Sequence, residues 1–571
     1  MARMKGKQIL AEMLRAEGVR YVFGNPGTPE APLLDVLQDY PEIGYIVALQ
    51  EASVVGMADG YARYTQRPAF ASVHISVGFA NALSGLYNAY RGGTPLVLTA
   101  GQSDTRHTLH EPTLWSDMTV VARNYTKWSA EVPHAENLEP VLRRAFKVAK
   151  TPPTGPVFLD FPWNVLDEEA EADIVPASKG YHRMRPDPEG LSKAVALLSR
   201  AQNPIMFVGD RLAQSGGADE AVRTAELLGV PVQALSYSEV SFPTGHPQFL
   251  GTVATSFPTR SLKERLNSYD VILAVGCNLI TQTNYAPEPL LRTDGPRVIH
   301  MDSSAWEIEK RYPVTVGLIC DPKAGMAELV QALEAEMTPT ARQAARQRAA
   351  NVAHAKERQR QAFQKRVKET WDNTPVSVER LMYELAQAIP KDTIVADESI
   401  TSRGALMQAV EFNRIGDYLG ARGGGLGWGM PAPLGIKLAA PERPVVSVVG
   451  DGAAMYTVQA LWTAARYNIP VVYVICNNRS YKILKQAMLH YLAGTERESQ
   501  FVGMSFYEKP IELWRIAESF DLLGISVERP EALRPALDRA FSAGKAAVVD
   551  VHIEETLDPQ GIQREWLAWW R

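Results

Sequence analysis

The chain has 571 residues, 46% of them hydrophobic, and a formal net charge of −5. That length predicts three or four domains with substantial cores, and so slight a charge argues against nucleic acid or an acidic membrane as partner. Only three cysteines, Cys277, Cys320 and Cys476, are present, which argues against a disulfide framework. No apolar run reaches the roughly eighteen residues of a membrane span. The opening MARMKGKQILAEML turns amphipathic too early for a secretory signal, so the expected location is cytoplasmic.

In chain order, the first block runs from Lys5 to about Asp173. Its strand candidates are Tyr21–Phe23, Tyr45–Leu49, Ala69–His74, Leu96–Thr99 and Val157–Asp160. The loop Gly24-Asn-Pro-Gly-Thr28 follows the first of these, and Gln50-Glu51-Ala52-Ser53 opens a helix reaching about Tyr64. A glutamate at a helix start is in any case a favourable partner for the helix dipole. His74 closes its strand just before Gly78-Phe-Ala-Asn81, while His107 and His110 are separated by Thr108-Leu109. Glu168 to Asp173, and the stretch to about Arg185, read as a solvated linker.

The second block repeats the alternation, with strands at Ile205–Val208, Val230–Ala234, Val271–Val275 and Val298–Met301. A charged segment from Glu334 to Glu369 follows and reads as exposed surface helix. The third block starts near Pro375 and ends in the strand Ala547–Ile553. Its centre is a βαβ unit: strand Val445–Val449, then Gly450-Asp451-Gly452, a helix from about Met455 to Tyr467, strand Val471–Cys476, then Asn477-Asn478. The helix is expected to present Val458, Leu461, Trp462 and Ala465 on one face, and Asn468 and Pro470 stop it.

The crossover makes the two strands parallel, so their carboxyl ends open on the one sheet edge where such sheets bind ligands. Asp451 offers a carboxylate there and Asn478 an amide oxygen. Glycines on either side of Asp451 let the backbone approach a bulky anion. Hard oxygen ligands with room for phosphate oxygens describe a magnesium–diphosphate site. Read alone, the same residues also suit an ordinary turn and a polar loop. Gly427-Trp-Gly429-Met-Pro-Ala432 satisfies a dinucleotide-binding fingerprint, but Pro431 sits badly in a phosphate helix and the fingerprint explains neither Asn477-Asn478 nor Glu51.

The Gly-Asp-Gly and Asn-Asn pair, at this spacing, resembles the signature of thiamine-diphosphate enzymes. LQEASVVGMADGYAR around Glu51 is similar to the matching segment of benzoylformate decarboxylase and acetolactate synthase. The resemblance implies an α/β chain of three domains, each with a mostly parallel sheet flanked by helices: pyrimidine-binding (1–175), central (185–335) and diphosphate-binding (375–571). It implies that Asp451, Asn478 and the Ser480 backbone carbonyl hold Mg2+, and that Glu51 bonds the aminopyrimidine N1′. It places the thiazolium against Gly423 to Gly427, with Gly424 in contact and Leu426 forcing the bent cofactor conformation. Gly450, Gly452 and Ala453 then line the diphosphate, with Thr401 and Tyr481 as further contacts. Glu51 and Asp451 are expected from different subunits, making a homodimer the minimum and a homotetramer the usual assembly.

The implied chemistry is carbon–carbon cleavage of a small 2-oxo acid, with carboligation as an alternative outcome. Gly24 to Thr28 resembles the substrate loop of benzoylformate decarboxylase, which gives Thr28 a carboxylate-contacting role and His74 a proton-transferring or orienting one. A departure is that the second histidine of that enzyme has no counterpart: Thr283, between Gln282 and Asn284, stands in its place. The tail beyond Glu554, with Trp566, Trp569 and Trp570, resembles the closing tails of the 2-hydroxyacyl-CoA lyase branch. An acyl-CoA substrate, its phosphate meeting Arg479, Lys482 and Lys485, is therefore the alternative. Acetolactate synthase-like carboligation is a third.

Overall fold

The computed structural model describes residues 2–562 except 181–182, 236, 254–258, 282–287, 494 and 496. Three six-stranded sheets, all of whose pairings are parallel, succeed one another along the chain. The first has the spatial order Gly44–Val47, Tyr21–Asn25, Ala69–Val73, Leu96–Gln102, Val157–Pro162, Trp128–Glu131. In the second the order is Phe249–Thr252, Val232–Ala234, Pro204–Val208, Val271–Val275, Arg297–Asp302, Val316–Ile319. The third runs Tyr418–Gly420, Ile394–Glu398, Val445–Gly450, Val472–Asn477, Ala547–His552, Leu523–Val527. Helices cover both faces, so central strands such as Val271–Val275 are buried at every position and read as unbroken apolar runs.

Most strands legible in the sequence are central ones, although Tyr45–Leu49 falls on the edge strand Gly44–Val47 and the central Ile394–Glu398 was missed. Those it missed include the edges Trp128–Glu131, Phe249–Thr252, Val316–Ile319, Tyr418–Gly420 and Leu523–Val527. The stretch expected as a linker is partly a strand. Glu169–Ala172 pairs antiparallel with Ala2–Lys5, and this two-stranded ribbon precedes the amphipathic helix Gly6–Ala16. The alternation of Glu and Ala is only four residues long with small apolar members, too weak a signal for a strand, and the pairing depends on a partner more than 160 residues away. The charged segment is a helix, Pro339–Glu369, 31 residues long, that buries only Ala345, Val352, Phe363 and Val367.

The helix expected from Met455 to Tyr467 is instead broken. Asp451–Ala454 is α-helical, Met455–Thr457 is a 3-10 turn and Ala460–Arg466 is α-helical again. Thr457 Oγ1 donates to the Gly427 carbonyl at 2.5 Å, a tertiary bond that the local pattern does not carry. Of the expected face, Leu461 is buried and Val458 and Ala465 pack partly buried against the core, while Ala460, Thr463 and Ala464 of the last piece are also buried. Thr463 donates to the Val47 carbonyl at 3.0 Å, and the Tyr467 hydroxyl accepts from the Val47 N–H at 3.0 Å. This piece therefore covers the edge strand of the first sheet.

The first and third blocks also meet through two helices, Glu51–Thr65 and Ala432–Ala439, whose backbones touch at glycines. A Cβ at Gly60 would lie 2.2 Å from the Ala432 carbonyl oxygen, and one at Gly435 would lie 1.9 Å from that of Met57. A buried ionic network ties in the central block: Arg63 and Arg422 both reach Glu239, and Arg422 also lies 3.5 Å from Asp210.

Candidate active site

Two groups of side chains gather at the carboxyl edges of the first and third sheets. In the first, Gln50 caps the helix Glu51–Thr65 by accepting from the Ser53 N–H at 3.0 Å, which sets Glu51 in the first turn. Glu51 is 6% exposed, and Asn25 and Asn81 each donate to it through Nδ2 at 3.0 Å, one on each carboxylate oxygen. Both amides come from segments that the sequence singled out: Asn25 from the Gly24 to Thr28 loop and Asn81 from the start of the helix Val77–Gly92. A Cβ at Gly78 would lie 2.8 Å from His74 Cβ and 2.9 Å from Glu51 Oε1, so glycine is what lets histidine and glutamate share this corner.

His74 follows its strand and turns Nδ1 to Glu30 Oε2 at 3.4 Å. Glu30, which the sequence reading passed over, is 2% exposed and accepts from the N–H groups of Gly27 at 2.7 Å and Gly101 at 2.6 Å. Burial raises its pKa, against the pull of those two donors. Glu30 thus fastens the loop of Thr28 to the strand Leu96–Gln102 and buttresses the histidine. Thr28 itself is exposed and opens the 3-10 turn Thr28–Glu30. Ser76, between His74 and Gly78, has φ 30°, a strained value for a residue other than glycine.

The second group is built on the βαβ unit. Gly450 pairs in register with Cys476, which brings Asp451 and Asn477-Asn478 side by side at the strand ends. Asp451 is 2% exposed, its Oδ2 has no hydrogen-bond partner among the described residues, and burial pushes its carboxyl up to about 7 against the Gly452 and Arg479 N–H groups. Asn477 points back to Asp550, donating to it at 2.9 Å, and is a structural tie. Asn478 Oδ1 accepts from the Ser480 N–H at 3.0 Å, which folds the loop so that both residues stay at the sheet edge. Tyr481 lies over Gly452, where a Cβ would come within 2.7 Å of its ring, and meets Phe506 edge-on at 4.7 Å.

The glycine-rich loop joins the strand Tyr418–Gly420 to the helix Ala432–Ala439 by a long connection, not by the tight strand–helix turn of a dinucleotide fingerprint. Gly423, Gly424 and Gly427 have φ of 77°, 106° and 99°, conformations that side chains resist. Asn88 clamps the loop from both sides, donating to the Gly425 carbonyl at 2.8 Å and accepting its N–H at 2.9 Å. Glu398, also unforeseen, accepts from the N–H groups of Gly427 at 3.0 Å and Gly429 at 2.7 Å, and burial pushes it up to about 7. Leu426 packs half-buried on the core, and Thr401 follows Ile400, a β-branched residue at φ 25°.

The arrangement suits a cation and a diphosphate. A buried carboxylate oxygen without a donor is costly unless a positive charge meets it. The Asn478 loop lies at the adjoining strand end, and a Cβ at Gly450 or Gly424 would meet nothing within 4 Å among the described residues, which is open space for an anion. Among the described residues no hydrogen bond joins the Glu51 group to the Asp451 group. Thr283 and its neighbours Gln282 and Asn284, and the tryptophans Trp566, Trp569 and Trp570, lie outside the described residues.

Comparison with known proteins points the same way. The family description "Thiamine pyrophosphate enzyme" matches in three parts: the N-terminal TPP binding domain at residues 4–121, the central domain at 191–329 and the C-terminal TPP binding domain at 401–551. Benzoylformate decarboxylase of Pseudomonas aeruginosa is 31% identical over 96% of this chain and 98% of its own. The acetolactate synthase large subunit of Haemophilus influenzae is 28% identical over 97% and 96%. Among solved structures, the thiamine diphosphate-dependent 4-hydroxybenzoylformate decarboxylase of Rhodococcus jostii RHA1 superposes with a TM-score of 0.83 at 26% identity, covering 96% of this chain and 99% of that one. With its three parts matched in order and a 31% identical relative along nearly its whole length, this chain belongs to the thiamine pyrophosphate enzyme family.

Proposed function

We propose that this protein is a thiamine-diphosphate- and Mg2+-dependent carbon–carbon lyase that decarboxylates a 2-oxo acid, in the manner of the benzoylformate decarboxylases it is similar to, with carboligase activity. The observation that carries the reading is the joint placement of Asn25, Glu30, Glu51 and His74, which ties the candidate substrate loop, the candidate activator and a histidine into one corner. Bound thiamine diphosphate supplies a nucleophilic carbon and an electron sink for breaking the bond beside a carbonyl.

The chain's own residues do the rest. Asp451, Asn478 and the Ser480 carbonyl hold the cation, and with it the diphosphate. Asn25 and Asn81 orient the Glu51 carboxylate for the aminopyrimidine. His74, with Nδ1 on Glu30, keeps Nε2 for proton exchange with substrate. Thr28 receives the substrate carboxylate. Gly424, Leu426, Gly450, Gly452, Ala453, Thr401 and Tyr481 line the cofactor, within the domain limits 1–175, 185–335 and 375–571. The exposed apolar residues Val77 and Val120 in the first block and Met455 and Tyr456 in the third support an assembly of at least two copies, with Glu51 and Asp451 of one site drawn from different subunits.

The acyl-CoA alternative draws less support. Arg479 is paired with Glu528 at 3.0 Å and Lys485 with Glu555 at 2.8 Å, which leaves Lys482 as the remaining cation of the expected trio. The test is aldehyde release from benzoylformate by protein stripped of cofactor and then supplied with thiamine diphosphate and Mg2+. Cofactor-dependent release is expected. No release, with cofactor binding verified, would overturn the decarboxylase reading.

A further inference from the structure

The loop that carries Asn478 and Ser480 is held by a residue far along the chain. Glu555, just past the last strand, accepts from the Ser480 hydroxyl, from Lys485 Nζ at 2.9 Å and from the Tyr507 hydroxyl at 2.5 Å. Lys485 is 4% exposed, and its ammonium also faces the Phe501 and Tyr507 rings at 5.5 Å and 5.3 Å. The segment bearing Tyr507 is itself stitched to the loop. Ser480 and Ser505 form an antiparallel bridge, the Tyr481 N–H donates to the Met504 carbonyl at 3.0 Å, and the Phe506 N–H donates to the Arg479 carbonyl at 2.7 Å. Arg479, between Asn478 and Ser480, has φ 56°, so the loop sits in a conformation that needs outside support.

We propose that Glu555 is a positioning residue for the cation site: it fixes the Ser480 carbonyl and Asn478 in place, and so makes Mg2+ and diphosphate binding depend on the root of the carboxyl-terminal segment. On its carboxylate the metal loop, the helix Lys482–Leu492, the Tyr507 segment and the end of the last strand converge. This rests on the assignment of Asp451, Asn478 and Ser480 to the cation. A carboxylate is needed because three donors compete for it, one of them a buried ammonium. An amide has one oxygen to offer and presents its own donors to Lys485.

The experiment uses the full-length protein freed of cofactor, with Mg2+ titrated at fixed thiamine diphosphate and followed by tryptophan fluorescence. Glu555→Gln is expected to raise the half-saturating Mg2+ concentration tenfold or more. The double variant Lys485→Met/Glu555→Gln removes the stranded ammonium. Its melting temperature is expected to return towards wild type while Mg2+ affinity stays weak. Recovery of affinity together with melting temperature would make the role merely structural and overturn the proposal. Asp451→Asn separates this from the underlying assignment. If Asp451→Asn abolishes Mg2+-dependent binding while Glu555→Gln binds as wild type, the positioning role falls alone. If neither changes binding, the cation site itself is misassigned and both fall.

Discussion

The most direct test of the His74 corner is Gly27→Ala. Gly27 has φ −121° and ψ −165°, extended backbone that alanine adopts without strain, so the substitution acts through space alone. The new methyl would lie 1.8 Å from His74 Nδ1 and 2.4 Å from Cγ. Ordinary contact is near 3.5 Å, so the ring must retreat by about 1.7 Å. The Nδ1 contact to Glu30 is already 3.4 Å, and a shift of that size breaks it. Because the imidazole is 21% exposed, it has room to swing outward, and the fold is expected to lose only the roughly 1–3 kcal/mol typical of overpacking. A misplacement of about 1 Å in a catalytic group costs on the order of 10²-fold. Steady-state kcat/KM with benzoylformate should therefore fall by about that factor or more, with Mg2+ and cofactor affinity unchanged. The same substitution in a His74→Ala background should do little further, since the group it displaces is gone. Wild-type activity in Gly27→Ala, or an equal loss with and without His74, would refute the reasoning.

Glu51→Gln should retain thiamine diphosphate but lose about 10²- to 10⁴-fold in turnover, because the amide cannot exchange the proton; steady-state kinetics showing full turnover would contradict the assigned role. Mg2+ affinity should fall as pH drops below about 7, approaching tenfold per unit, because Asp451 must release a proton to bind the cation. The sign follows from a raised pKa. The retained proton favours the metal-free fold below the usual carboxylate range, and that contribution is lost as pH rises through about 7. A calorimetric titration series that is flat between pH 6 and 8 would count against it. Gly60→Ala drives a methyl to 2.2 Å from the Ala432 carbonyl, backbone that has little room to yield, and should lower the melting temperature by several degrees without altering kcat of the folded fraction. Arg422→Met removes the cation that Glu239 and Asp210 share, leaving Glu239 with Arg63 and Asp210 with the Ser238 and Glu239 donors, and a loss of about 3 kcal/mol, the lower end for breaking a buried pair, is expected in denaturant unfolding.

The sequence by itself determined the parts that depend on neighbours in the chain. Val271–Val275 and Val445–Gly450 were legible because a strand buried on both faces is an unbroken apolar run. Asp451 and Asn477-Asn478 were legible because a parallel crossover forces the ends of two such strands onto one edge. What only the tertiary structure decided has its partner elsewhere in the chain. The Glu169–Ala172 strand exists through its pairing with Ala2–Lys5, and the helix after Asp451 breaks where Thr457 bonds Gly427. Glu30 and Glu398 carry no motif. Each is an ordinary carboxylate until burial and two backbone N–H groups give it a task. Glu555 is the extreme case, 75 residues from the hydroxyl it holds. Local periodicity records which faces of a strand or helix are covered, but a hydrogen bond between distant segments leaves no periodic trace, and much of this site is made of such bonds.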